Sequence, residues 1–203
     1  EELYDMVADP NQTTNIARRN PEVVERLTSA VVAWKKDVLS DFGADDRPYP
    51  IGYRELPRAW LPARDGVPHG TVRRSTPAPN CSYFVNWTRV DDRITWDVDV
   101  HATGEYSVTL YYTCRKDDVG ATIEFQCGDA RITTKVESEW DPPLITDQDV
   151  IKRPPAESIM KEFRPLLMGK LRLEQGRKEI TLRASDIPGR QAIDLRGIAV
   201  TLQ

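Results

Sequence analysis

From Ile94 onward apolar and polar positions alternate. Ile94, Trp96, Val98 and Val100 are apolar while Thr95, Asp97 and Asp99 are polar, which predicts a strand with one buried and one wet face. After a turn at Gly104-Glu105, Tyr106, Val108, Leu110, Tyr112 and Cys114 line one face, leaving Thr109, Tyr111 and Thr113 on the other. Ala121, Ile123, Phe125 and Cys127 repeat the pattern, and Ile132 to Val136 follows the Gly128-Asp129 turn. Leu167 to Leu173, Ile180 to Ala184 and Ile193 to Leu202 complete the series, with turns at Gly176 and Pro188-Gly189. Short strands at this spacing predict a mainly β fold, a β-sandwich of jelly-roll type. By the same alternation Trp96 and Trp87 belong to its core.

The first part of the chain has a different period. Leu3, Tyr4 and Met6 form a short apolar run that stops at Asp9-Pro10, which predicts one strand ending in a turn. Asn20-Pro21-Glu22 opens a helix: Asn20 as cap, Pro21 at the first helical position, Glu22 at the positive end of the dipole. Val23, Leu27, Val31, Trp34 and Val38 form one apolar stripe, and Gly43 ends the element. Residues 44–80 are rich in proline but also carry Tyr49, Ile51, Tyr53, Leu56, Trp60 and Leu61, so an extended arm strapped across a surface is expected. Residues 137–162 read as a long polar loop stiffened by Pro142-Pro143 and Pro154-Pro155. The predicted organisation is a strand and helix over 1–42, a Pro-rich arm over 43–80 and a β-sandwich over 81–203.

With 203 residues and 39% hydrophobic positions, the chain can bury a sizeable core. Its net charge of -4 and pI near 5.3 argue against a nucleic-acid binder, which needs a basic surface to neutralise phosphates. No apolar run is long enough to span a membrane. Three cysteines make no even framework. In the predicted hairpin Cys127 lies about 20 Å beyond the start of its strand, which Cys114 faces, at ~3.4 Å per residue. A disulfide needs Cα atoms within about 7 Å, so buried free thiols are expected.

Glu2, Leu3, Tyr4, Asp5, Asp9, Pro10, Asn15 and Ala17 carry the order E-L-Y-D-x-x-x-D-P-x-x-x-x-N-x-A. Asn20, Pro21, Glu22, Val24 and Leu27 then give N-P-E-x-V-x-x-L, with Trp34 further along the helix. This combination resembles the C-terminal end of type I sulfatases (the arylsulfatase family). The stretches Leu61-Pro62-Ala63-Arg64-Asp65-Gly66 and Trp96-Asp97-Val98-Asp99-Val100 are similar to the accessory β domain behind some planctomycete-type sulfatases. The resemblance implies that the first strand and helix are left over from an α/β sulfatase domain, the strand closing a small antiparallel sheet and the helix packing on it. It implies that the sandwich is carbohydrate-binding-module-like and that the partner is a catalytic domain upstream of Glu1. It further implies an exported, secreted parent, a hydrolase of sulfate esters on sulfated carbohydrate, using formylglycine and a divalent metal, usually calcium. The chain itself would hold no cofactor.

A sulfatase nucleophile is made within C/S-x-P-x-R, and the chain departs from that pattern wherever it approaches it. Cys127-Gly128-Asp129-Ala130-Arg131 has Asp129 in place of the proline, and Ser75-Thr76-Pro77-Ala78-Pro79 has Pro79 in place of the arginine. Asp117-Asp118-Val119-Gly120 looks like the metal-binding Asp pair of a sulfatase but sits between two strands, where Asp and Gly are turn residues. His69 and His101 have no Cys or His at ligand spacing, and there is no G-x-S-x-G elbow. Asp147, Asp149 and Glu157 could hold a structural calcium, against the plainer reading of a solvated acidic loop. No catalytic residue and no metal site are therefore assigned, and the 203-residue chain alone is expected to be inactive.

Carbohydrate contacts are assigned to aromatic side chains outside the core. Trp60 sits in the arm, Trp140 at the start of the Pro-rich loop and Tyr111 on a polar strand face. Arg64, Arg73, Arg74 and Arg153 are the candidates for an anionic substituent, against a chain whose acidic balance predicts modest, salt-sensitive binding. The alternative reading is that Trp60 and Trp140 only pin their loops, and that the sandwich is a purely structural module stabilising the parent or its oligomer.

Overall fold

In the computed structural model, residues 1–40, 46–78, 82–146 and 153–203 are described, and the chain divides into two units, Glu1–Arg47 and Pro48–Gln203. The first unit contains helix α1 (Pro21–Ser40) behind a 3-10 turn at Ala17–Arg19. Leu3 to Met6 do not form the expected strand. The Asp5 carboxylate accepts the backbone N–H groups of Val7 (2.9 Å) and Ala8 (3.0 Å). Asp9 does the same for Thr13 and Thr14 (3.0 and 2.7 Å). These bonds turn the chain from Met6 onward, so the apolar run has no extended continuation. Leu3 is instead tied to the approach of the helix: its N–H reaches Asn15 Oδ1 and its carbonyl accepts Ile16 N–H (2.8 Å). Asn20 marks the helix start as expected, but with its backbone carbonyl, which accepts Val23 and Val24 N–H. Its side-chain amide donates back to the Ile16 carbonyl rather than capping the helix. No residue of α1 is buried. The expected stop at Gly43 lies outside the described residues.

The second unit is a β-sandwich, and the Pro-rich arm is part of it. Four short strands come from the arm: β1 (Tyr49–Ile51), β2 (Arg58–Pro62), β3 (Val67–His69) and β4 (Arg73–Arg74). The second unit begins at Pro48, and the described residues of the arm from there on carry these four strands. β5 (Phe84–Val85), β6 (Arg93–Val100), β7 (Gly104–Thr113), β8 (Thr122–Cys127) and β9 (Ala130–Lys135) follow. β10 (Arg164–Leu173), β11 (Gly176–Asp186) and β12 (Asp194–Leu202) complete the set. One sheet runs β1-β6-β11-β8-β9 with β3 also on β6, and the other runs β10-β7-β12-β5-β4 with β2 also on β12. β1 joins β6 in parallel; the other pairings are antiparallel.

The period-two pattern places the core. Ile94, Trp96, Val98 and Val100 of β6 face Tyr106, Val108, Leu110 and Tyr112 of β7, all buried. The arm is fixed where glycine lets backbone approach this core. Gly52 has φ +80° and lies under the Tyr106 hydroxyl, which a Cβ there would meet at 2.0 Å. Trp96 lies against Gly66 and donates its indole N–H to the Pro62 carbonyl (3.1 Å). Asp92 organises the loop before β6. Its carboxylate accepts Thr71 N–H (2.8 Å), Thr71 hydroxyl, Thr88 N–H (3.3 Å) and Arg89 N–H (3.0 Å). Burial alone would raise its pKa, but these hydrogen bonds outweigh it and hold the carboxyl below the usual range. Cys114 and Cys127 are buried free thiols, and burial pushes both up to about 11. The third cysteine, Cys81, lies outside the described residues.

Candidate functional site

β7 turns its polar residues outward, and β12 and β2 continue that face. Across the sheet Tyr111 stands opposite Gly197, and Gly197 opposite Pro62; Thr109 stands opposite Ala199, and Ala199 opposite Trp60. Alternation along Arg58-Ala59-Trp60-Leu61-Pro62 then sends Leu61 into the core and Arg58 and Trp60 outward. Gly197 leaves a gap in the row between them. The Trp60 indole fills it, lying so close that a Cβ on Gly197 would be 2.6 Å from its Cζ2. Across that gap Trp60 meets Tyr111 edge to face, with ring centroids 5.1 Å apart and planes at 85°. Both rings are half-buried. Arg58, exposed, donates from Nη2 to Tyr111 Oη (3.2 Å). The result is an aromatic tile on the outer sheet face, with hydroxyl-bearing Thr109 and Thr201 on the neighbouring strands.

The structure thus joins two of the three expected aromatics and separates the third. Trp140 bridges to Cys114 through backbone hydrogen bonds and donates its indole N–H to the Glu162 carbonyl (3.1 Å). The Arg164 guanidinium lies 5.8 Å from its ring centroid, so Trp140 pins the loop. The arginine candidates divide in the same way. Arg74 donates to the Arg64 and Gly66 carbonyls (2.8 and 2.9 Å) and lies over the Phe84 ring, tying the 63–65 turn to β4. Arg153 donates to the Ser158 carbonyl. Both guanidinium groups are engaged in structural bonds rather than held out for an anion. Arg64 is exposed beside Asp65 (3.5 Å), and Arg73 is exposed on β4. Sequence reasoning missed Arg58 and Gly197. The signal was present as the alternation of Arg58, Trp60 and Pro62, but Pro57 and Pro62 made the run look like arm rather than strand.

The remaining motifs have structural work. Asp118 accepts the backbone N–H of Arg190 (2.8 Å) and Gln191 (3.2 Å), fixing the loop before β12. Ser75 Oγ is bonded to Ser158 Oγ (2.6 Å), which also meets Thr76 Oγ1 (2.7 Å); Pro79 lies outside the described residues. His69 bonds Thr95 (3.0 Å), and His101 stacks on Tyr53 at 3.9 Å with Asp99 3.6 Å away. Asp147 and Asp149 lie outside the described residues, and Glu157 closes a turn on the Pro154 carbonyl (3.0 Å). Among the described residues no three His, Cys, Asp or Glu side chains gather as a metal site, and no helix is long and apolar enough to cross a membrane.

No family model and no curated protein matches the chain. Solved structures resemble its fold. A domain of the mosquito-larvicidal Cry4Aa toxin from Bacillus thuringiensis aligns with a TM-score of 0.50 at 11% identity, covering 72% of this chain and 23% of the toxin. A family 35 carbohydrate-binding module from Clostridium thermocellum aligns at 0.49 and 12% identity, covering 72% of this chain and 98% of the module. A GH26-CBM35 β-(1,4)-mannanase from Podospora anserina aligns at 0.47 and 13% identity. The alignment covers 72% of this chain but 28% of the mannanase. At such identities the likeness is one of fold alone.

Proposed function

We propose that residues 48–203 are a carbohydrate-binding accessory domain and that the Trp60–Tyr111 tile is its sugar contact. The observation that carries this reading is the pairing of two aromatic rings across Gly197 on the wet face of a sheet. A pyranose ring laid on the tile gains apolar contact without the side chains losing further freedom, because packing already holds them. We propose further that the chain is the non-catalytic C-terminal part of an exported sulfatase acting on sulfated carbohydrate. Two features support this: the motif from Glu2 to Leu27, and a helix whose Leu27, Val31 and Trp34 remain 41%, 59% and 64% exposed, as expected of a face that a sulfatase catalytic domain would cover.

One group of observations favours the rival reading of a purely structural module: Trp140, Arg74 and Arg153 all bond within the fold. Affinity electrophoresis of the full chain against a panel of neutral and charged polysaccharides separates the two. Retardation by at least one glycan, abolished in a W60A/Y111A variant that melts like the parent chain, is the expected result. Retardation by none would leave the structural module.

A further inference from the structure

We infer that Arg58 makes the Trp60–Tyr111 tile selective for sugars that carry an anionic substituent, a sulfate ester or a carboxylate. The inference rests on the reading of the tile as the sugar contact. Two other cations on the outer face of the same sheet are neutralised locally: Lys170 pairs with Glu105 (3.0 Å) and Arg172 with Glu174 (2.9 Å). Arg58 has no carboxylate partner among the described residues, and its hydrogen bond goes to a neutral phenol through Nη2. That bond fixes one edge of the guanidinium against the aromatic ring. The other donors stay available, in the planar fork that matches a carboxylate or sulfate oxygen pair. A sugar stacked on Trp60 therefore has a positioned, uncompensated positive charge at its margin. Because Arg58 is exposed, solvent screens that charge, so the preference should weaken as salt is added.

The test is calorimetry of the full chain and of R58Q and W60A with four ligands: a sulfated galactan, the same galactan after chemical desulfation, polygalacturonate and its methyl ester. The full chain should bind a charged form about tenfold more tightly than its neutral counterpart at low salt, the scale of one charge-assisted contact. R58Q should lose that preference, binding charged and neutral forms alike, and W60A should weaken all four ligands. Preference for the sulfated galactan identifies a sulfate ester as the group, and preference for polygalacturonate identifies a carboxylate. Equal affinity of the full chain for charged and neutral forms, or a preference that survives in R58Q, overturns the role of Arg58 and leaves the tile standing. Absence of binding to all four overturns the tile and this inference together.

Discussion

Gly197 occupies a position where a single methyl group has no room. Its Cβ would stand 2.6 Å from the Leu61 carbonyl oxygen and 2.6 Å from the Trp60 ring. G197A must therefore push the indole off the sheet or part β2 from β12. It is expected to cost about 1–3 kcal/mol in urea unfolding and to reduce the aromatic near-UV signal. Asp92 makes a second prediction at this scale. Its folded-state pKa is depressed, so its contribution is fully present above the unfolded value of about 3.9 and is lost as pH falls through the lower folded value. Unfolding curves collected from pH 6 downward should show D92N less stable than the parent at the upper end. The gap should close as acid protonates the parent's carboxyl; a gap of constant size would argue against the linkage. The thiols give a third. Held at about 11 by burial, Cys114 and Cys127 should resist alkylation at pH 8 in the folded chain and react once it is unfolded in urea.

Among the elements, α1 and the arm strands behave in opposite ways. The helix has a clear 3.6-residue stripe, of which Leu27, Val31, Trp34 and Val38 stay exposed. In the free chain L27A should therefore change stability by less than about 0.5 kcal/mol, and the α1 amides should exchange rapidly with deuterium. β1 to β4 have almost no readable period, yet Ile51 and Leu61 are fully buried. This contrast explains what the sequence made legible. Ile94–Val100 and Tyr106–Cys114 declared themselves because a long antiparallel strand with one wet face must alternate. A strand of two to five residues, edged by proline, is defined by the partner it meets, and that partner is far away in sequence. Leu3 to Met6 misled for a local reason: the apolar residues suggested pairing, while the Asp5 and Asp9 carboxylates turn the chain immediately after them. At the site, Tyr111 was legible from its place between Thr109 and Thr113. Its neighbours Arg58 and Trp60 could not be joined to it without knowing that β12 runs between β7 and β2.

Among the described residues the core lies in a single unit, since the buried apolar residues run from Ile51 to Val200. Residues 48–203 expressed alone should fold cooperatively, with one thermal transition and sulfhydryl protection like that of the full chain. The order in which the sandwich is assembled is less forgiving. β12 is the last strand in sequence, yet it joins β7 on one side to β2 and β5 on the other. As the chain emerges from a ribosome, β2 and β7 cannot become parts of one sheet until residues 194–202 have cleared the exit tunnel. Until then Trp60 and Tyr111 belong to separate fragments, and the edges awaiting β12 are open to other chains. Closure draws together segments far apart in sequence, which places folding in the slow, millisecond-to-second range of β topologies. The Trp60–Tyr111 pair would thus be among the last features of the sandwich to form, and a nascent chain stalled before β12 would be an aggregation hazard.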